Sequence, residues 1–178
     1  MFDETSWQQC VNFHGHSCPG LAIGYRAALA AKDRMQVAFS ADEEIVCVTE
    51  NDACGVDAVQ VLTGCSIGKG NLVYRGTGKM AFSFFDRKKK NALRVFFKKP
   101  IQRPEDIDRT QLQHMVLSAP DDELFSFSIP TFALPDAARL FTSEICEKCG
   151  EAAPEHKIRL LGGKKLCLDC FPAYNRGW

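Results

Sequence analysis

Neither charge sign is in excess in this chain of 178 residues, because lysine plus arginine and aspartate plus glutamate number 22 each. A dedicated nucleic-acid binder needs a strong positive field, so the neutral balance argues against that class. The runs "DRKKK" (86–90) and "KKP" (98–100) are local, and they read as a solvated hairpin turn and a strand end. No apolar run approaches the ~20 residues that span a bilayer. The opening "MFDETSWQQC" lacks a basic segment followed by an apolar one, so no secretory leader and a cytoplasmic location are expected. There is no internal repeat, no low-complexity tract and no G-x-G-x-x-G unit for a dinucleotide. "GKGN" (68–71) is too short for a phosphate-cradling loop and has no Ser or Thr in the required place. Histidine is scarce, at four.

Cysteine, in contrast, is plentiful, with nine residues. In a reducing compartment such thiols serve metals or catalysis rather than a disulfide framework. With 46% hydrophobic residues the chain can build one real core and a small appendage. Residues 3–12 open on Asp3 and Thr5-Ser6 as caps and continue at helical spacing through Trp7 and Val11. "LAIGYRAALAAKDRM" (21–35) predicts a helix whose small residues suit close packing. "EIVCVTE" (44–50) reads as a buried strand, and "NDACGVDAVQVLTGC" (51–65) as a loop entering a helix, with Asn51 or Asp52 as N-cap and Gly64 near its end. "NLVYRG", "KMAFSFFD" and "ALRVFFKK" follow as strands, the last two joined by a polar hairpin turn. "RPEDIDRTQLQHMVLS" (103–118) returns to helix with Pro104 near its start, and "ELFSFSI" (123–129) is a last strand or a helical continuation. Cys10 and Cys47 fall in element interiors and read as core. The order helix, strand, helix, antiparallel strands implies an α+β layer fold. We expect a core domain over 1–130, a linker over 131–143 where prolines gather, and a cysteine-dense module over 144–178.

That module carries the plainest motif. Cys146 and Cys149 form one C-x₂-C pair and Cys167 and Cys170 another, the template of a tetrahedral Cys₄ zinc site. Gly150 and Gly162-Gly163 suit a knuckle and a hairpin, and His156 reads as a surface residue because four thiolates already fill the shell. Zinc would supply the folding energy of so short a segment.

A second constellation lies in "FHGHSCPGLAIGYRAA" (13–28). His16 and Cys18 stand at i and i+2, which an extended segment brings onto one ion and a helix would turn about 200° apart. We expect Pro19 and Gly20 to keep this segment out of helix, and the following helix to favour a thiolate at Cys18 through its N-terminal dipole. Cys54, at another strand-to-helix passage, is the best third ligand if the two helices pack side by side. One histidine and two cysteines would leave a fourth position of zinc, or of another transition metal, open. The alternatives are a core histidine and a buried structural cysteine. His14, Asp52, Cys65 and Lys69 are further candidates, His14 as a base or a loop cap, Asp52 as a proton carrier or an N-cap, Cys65 as pocket lining or core, and Asp57 is weaker still.

Together "FHGHSCPGLAIGYRAA", "ENDACGVDAVQVLTGCSIGKGNL" and "GKMAFSFFDR" resemble the family of the formylmethanofuran dehydrogenase E subunit and its stand-alone relatives, and "CEKCGE…CLDC" resembles the zinc-ribbon tail that many members carry. The resemblance implies an α+β core of the type seen in the catalytic domain of glyceraldehyde-3-phosphate dehydrogenases, an intertwined homodimer, and a metal-associated cleft at the His-x-Cys-Pro segment. In methanogens the family's subunit belongs to a molybdenum- or tungsten-dependent complex that reduces carbon dioxide to a formyl group. This chain carries neither a pterin-binding domain nor ferredoxin-like cysteine clusters, so the redox chemistry would reside in a partner. Two readings follow: a metal-binding accessory protein of molybdo- or tungstoenzyme metabolism, or a zinc-dependent hydrolase or transferase working at His16, Cys18 and Cys54. A positioned base at hydrogen-bond distance would favour the enzyme. Three phenylalanine-rich strands suggest more apolar surface than one sheet and three helices would cover, and so a homodimer.

Overall fold

The computed structural model describes residues 2–98 and 107–173. Pro104, expected to open a helix, lies outside the described residues. The chain divides into two compact units, Met1–Ala138 and Arg139–Trp178. No helix among the described residues is long and apolar enough to cross a membrane.

The first unit is a five-stranded sheet with helices packed on one face. Asp3 caps the opening helix α1 (Glu4–His14) by accepting from the Ser6 N–H, and Gly15, at φ +89°, ends it in the left-handed conformation that glycine tolerates. Helix α2 (Pro19–Met35) begins on Pro19, two residues before the expected start at Leu21, because proline's fixed φ suits the first helical position; His16 to Cys18 stay outside the helix as expected. Strand β1 (Ile45–Thr49) is buried throughout. It leads into α3 (Gly55–Thr63), whose N-cap is Cys54 rather than Asn51 or Asp52. Asn51 instead ties down the loop, donating to the Lys79 carbonyl and accepting from the Ala53 N–H.

Strand β2 (Leu72–Tyr74) then runs parallel to β1, with α3 as the crossover; only the remaining pairs are antiparallel. β3 (Ala81–Asp86) and β4 (Asn91–Phe97) form the expected hairpin, its lysine turn held by the Asp86 carboxylate on the N–H groups of Lys88 and Lys89. α4 (Arg109–Ser118) opens on a capping box at Asp108. The 123–129 segment resolves into both of its readings, a short helix α5 (Asp121–Leu124) followed by strand β5 (Phe125–Ser128). The sheet order is β2-β1-β3-β4-β5. Arg26, on α2, clasps the end of α4, donating to the carbonyls of Val116, Leu117 and Ala119 and pairing with Asp121 at 2.7 Å.

The helical face of the sheet buries Cys47, Phe82, Phe84, Val95 and Phe125 against Leu21, Tyr25, Ala28 and Val59. On the opposite face Val46, Val48 and Phe85 pack with Val73, Ala92 and Phe132. Each buried phenylalanine contributes roughly 1.5–3 kcal/mol. The phenylalanines of β3 are thus covered within the chain and do not themselves call for a dimer.

The second unit holds two hairpins: β6 (Ser143–Ile145) with β7 (Ala152–Pro154), and β8 (Ile158–Leu161) with β9 (Lys164–Cys167). A 3-10 turn, Glu155–Lys157, joins them. Gly162 and Gly163, both at positive φ, make the turn of the second hairpin.

Candidate metal centre

Two helix N-termini meet because two glycines let their backbones touch. A Cβ on Gly24 of α2 would stand 2.0 Å from the carbonyl oxygen of Gly55, the first residue of α3. No side chain separates the helices there, so Cys18, the N-cap of α2, and Cys54, the N-cap of α3, face one another. At Gly20, one turn before the crossing, an added Cβ would lie 3.7 Å from the Cys54 sulfur and 3.9 Å from that of Cys18. Cys18 is only 4% exposed, and its sulfur accepts from the Leu21 N–H at 3.3 Å. Burial, then the Cys18 thiol beside it, raises the pKa of Cys54.

The imidazole that joins them belongs to His14, not to His16 as the i, i+2 spacing suggests. The ligand-capable atoms of His14, Cys18 and Cys54 lie within 4.8 Å of one another. The difference traces to Gly15: because it is the left-handed residue after the helix, His14 is the last helical residue of α1 and is carried inward on a rigid element. His16 is exposed, its ring against that of His14 at 4.5 Å between centroids.

His14 is held in one orientation. Its Nδ1 meets the Asp57 carboxylate at 2.7 Å, and Gln60 donates to the other Asp57 oxygen at 3.2 Å. A carboxylate at Nδ1 fixes the proton there and leaves Nε2 with its lone pair. That Nε2 is buried and has no hydrogen-bond partner among the described residues. A buried, unpartnered ring nitrogen on an imidazole grouped with two thiols is costly in an empty protein and suited to a soft or borderline metal. The donor set therefore fits a zinc-class ion with an open position.

The other sequence candidates lie outside this group of ligand atoms. Asp52 is exposed, Cys65 is fully buried with its thiol on the Ile45 carbonyl, and the Lys69 amine donates to Ser40 and Ala41 carbonyls. Asp57 supports the site through His14. Its signal in the sequence is an acidic residue in the first turn after "NDACG", which is equally the mark of a helix start.

In the second unit the sulfurs of Cys146, Cys149, Cys167 and Cys170 lie within 4.8 Å of one another. Backbone N–H groups at Cys149 and Cys167 hold the Cys146 thiol down to about 6, whereas desolvation and then the sulfurs of Cys167, Cys149 and Cys146 push Cys170 up to about 12. His156 is exposed and stacks on Phe141 at 3.9 Å.

A family model described as "FmdE, Molybdenum formylmethanofuran dehydrogenase operon" matches residues 13–126. One described as "Prokaryotic dksA/traR C4-type zinc finger" matches residues 140–176, so the C-terminal module is a four-cysteine zinc finger. The chain is 30% identical over 192 residues to a probable S-adenosyl-L-methionine-binding protein of Archaeoglobus fulgidus, covering 91% of this chain and 51% of that protein. It thus spans about half the length of that curated relative. The fold is similar to the crystal structure of an FmdE-like protein of the tungsten formylmethanofuran dehydrogenase type from Syntrophus aciditrophicus, with a TM-score of 0.69, 23% identity, and coverage of 94% of this chain and 90% of that one.

Proposed function

We propose, for a chain that belongs to the FmdE family, that it is a cytoplasmic metal-binding accessory protein of molybdenum or tungsten enzyme metabolism. His14, Cys18 and Cys54 hold its working metal, and the zinc finger meets a partner of that metabolism. The carrying observation is the buried, unpartnered Nε2 of His14 beside the two thiols. When bound, a zinc-class ion with three protein ligands supplies an open coordination position for a further ligand. Asp57 keeps the His14 lone pair aimed at that ion, and Gln60 keeps Asp57 in place. The hydrolase or transferase alternative needs a positioned base. Here His14 is committed as a ligand, Asp57 is committed to His14, and Asp52 is exposed, so the accessory role is favoured.

Protein purified anaerobically from its native host should carry close to two metal ions per chain by elemental analysis. Cys18→Ser should remove one ion and leave the fold standing, and Asp57→Ala should weaken that same ion about 10–100-fold. A raised Cys54 thiol must lose its proton to bind, so uptake at this site should weaken as pH falls. Iodoacetamide should label Cys18 and Cys54 together, and only after gentle chelation. Fast labelling of Cys18 alone in untreated protein, or a full metal count in Cys18→Ser, would overturn the assignment.

The proposal includes a homodimer built on a core of the glyceraldehyde-3-phosphate dehydrogenase catalytic-domain type. Phe13, Phe39, Ile67 and Ile129 are exposed on the first unit, and a partner copy would cover such large apolar side chains. A dimer burying upwards of about 2,000 Å² is expected by light scattering at micromolar concentration. A folded monomer there would rule it out.

A further inference from the structure

A polar cavity opens where the parallel strands β1 and β2 end. Glu50 follows β1, Arg75 follows β2, Lys79 precedes β3, and Arg94 lies in β4. These four, with Thr77 and Phe132, line a space of about 230 Å³. Three cations surround it, against Glu50 as the one acidic residue of the lining.

Glu50 does not cancel this excess at the cavity surface, because it is already consumed in holding the wall together. It is 4% exposed, with one carboxylate oxygen on Arg94 Nε at 2.7 Å and the other on the Thr77 hydroxyl at 2.8 Å. Arg94 meets it through Nε alone. Among the described residues the two terminal nitrogens of Arg94 have no hydrogen-bond partner, and neither does the Lys79 amine. The Arg75 guanidinium stands 4.3 Å from the centre of the Phe132 ring, which positions it and shields it on one side. A buried carboxylate thus fixes one guanidinium and an aromatic ring fixes the other, leaving fork-shaped donors free at both. Mutual repulsion among three cations is a poor way to stabilise a wall, and it is relieved when an anion enters.

We propose that this cavity binds an oxyanion, the phosphate end of a small phosphate ester, through Arg75, Lys79 and Arg94. At about 30 Å³ per water the space takes several waters' volume. That is room for a phosphate and a few further atoms, below the roughly 300–1,000 Å³ that encloses a whole drug-sized ligand. The charged end is therefore held, and the remainder of the ligand projects outward. None of the three residues His14, Cys18 and Cys54 lines this cavity.

The test is calorimetric titration of the full-length, zinc-loaded protein at fixed ionic strength with phenyl phosphate, inorganic phosphate and benzoate. Saturable one-to-one binding of both phosphates is expected, with benzoate much weaker. Arg75→Gln and Lys79→Gln should each weaken phenyl phosphate about tenfold or more, with melting temperatures unchanged. Arg94→Gln is avoided because it would strand the buried Glu50 carboxylate. Cys18→Ser should bind phosphate normally, which separates this site from the metal reading. Absence of saturable binding, affinity unmoved by both substitutions, loss of binding in Cys18→Ser, or a preference for benzoate would each overturn the proposal.

Discussion

Gly24→Ala should empty the proposed N-terminal metal centre without adding or removing a ligand. The new methyl carbon would stand 2.0 Å from the Gly55 carbonyl oxygen and 2.3 Å from its Cα, both backbone atoms that no rotamer change can move. Relief requires the N-terminal ends of α2 and α3 to separate by more than about an ångström, whereas metal–ligand distances tolerate only about 0.2 Å. Overpacking of this kind costs about 1–3 kcal/mol, a fall of several degrees in the melting temperature of a unit this size. The metal loss should be the larger effect, at least about 100-fold in affinity. Elemental analysis should then find one ion per chain, retained by the four C-terminal cysteines. A Gly24→Ala protein with both ions and an unchanged melting temperature would show that the crossing does not set the site.

This crossing also marks how far the site is legible in the sequence. Cys18 and Cys54 stand out because each precedes a helical run, and a thiol at a helix start is chemically conspicuous. Their meeting depends on Gly24 against Gly55, a long-range pairing that neither glycine announces, since each also reads as an ordinary small residue of a packed helix. His14 ranks below His16 in the sequence because "HGHSCPG" looks like one loop. Gly15 is the signal, as a left-handed helix terminator that assigns His14 to α1. Most strands are readable from their β-branched and aromatic content, but the parallel pairing of β2 with β1 is not, since strand direction follows from the α3 crossover. The basic cavity leaves even less trace. Glu50, Arg75 and Arg94 come from separate segments, and each alone reads as a strand charge.

Stripping zinc from the protein should unfold residues 143–173 and leave the first unit folded. Among the described residues of the second unit only Cys146 and Leu166 are buried, while Ile145, Leu160, Leu161 and Leu168 are all exposed. One buried leucine contributes about 1.5–3 kcal/mol, against about 1–2 kcal/mol to order the backbone of each residue. Apolar burial therefore falls far short, and the bonds from zinc to the four thiolates contribute folding energy outright in a module of this kind. The thiols are graded for capture. Cys146, at about 6, meets the ion deprotonated at neutral pH, whereas Cys170, at about 12, releases its proton only as the metal binds. Zinc uptake should therefore release protons into an indicator dye and weaken as the pH falls, because the raised thiols already hold protons at neutral pH and the Cys146 thiol joins them below about 6. Hydrogen exchange before and after exhaustive chelation is the decisive measurement. Amides of β6 to β9 should lose protection, those of β1, β3 and β4 should keep it, and Cys146→Ser should reproduce the chelated pattern. Retained protection in the tail of a protein shown by elemental analysis to be metal-free would mean that the hairpins stand without the ion.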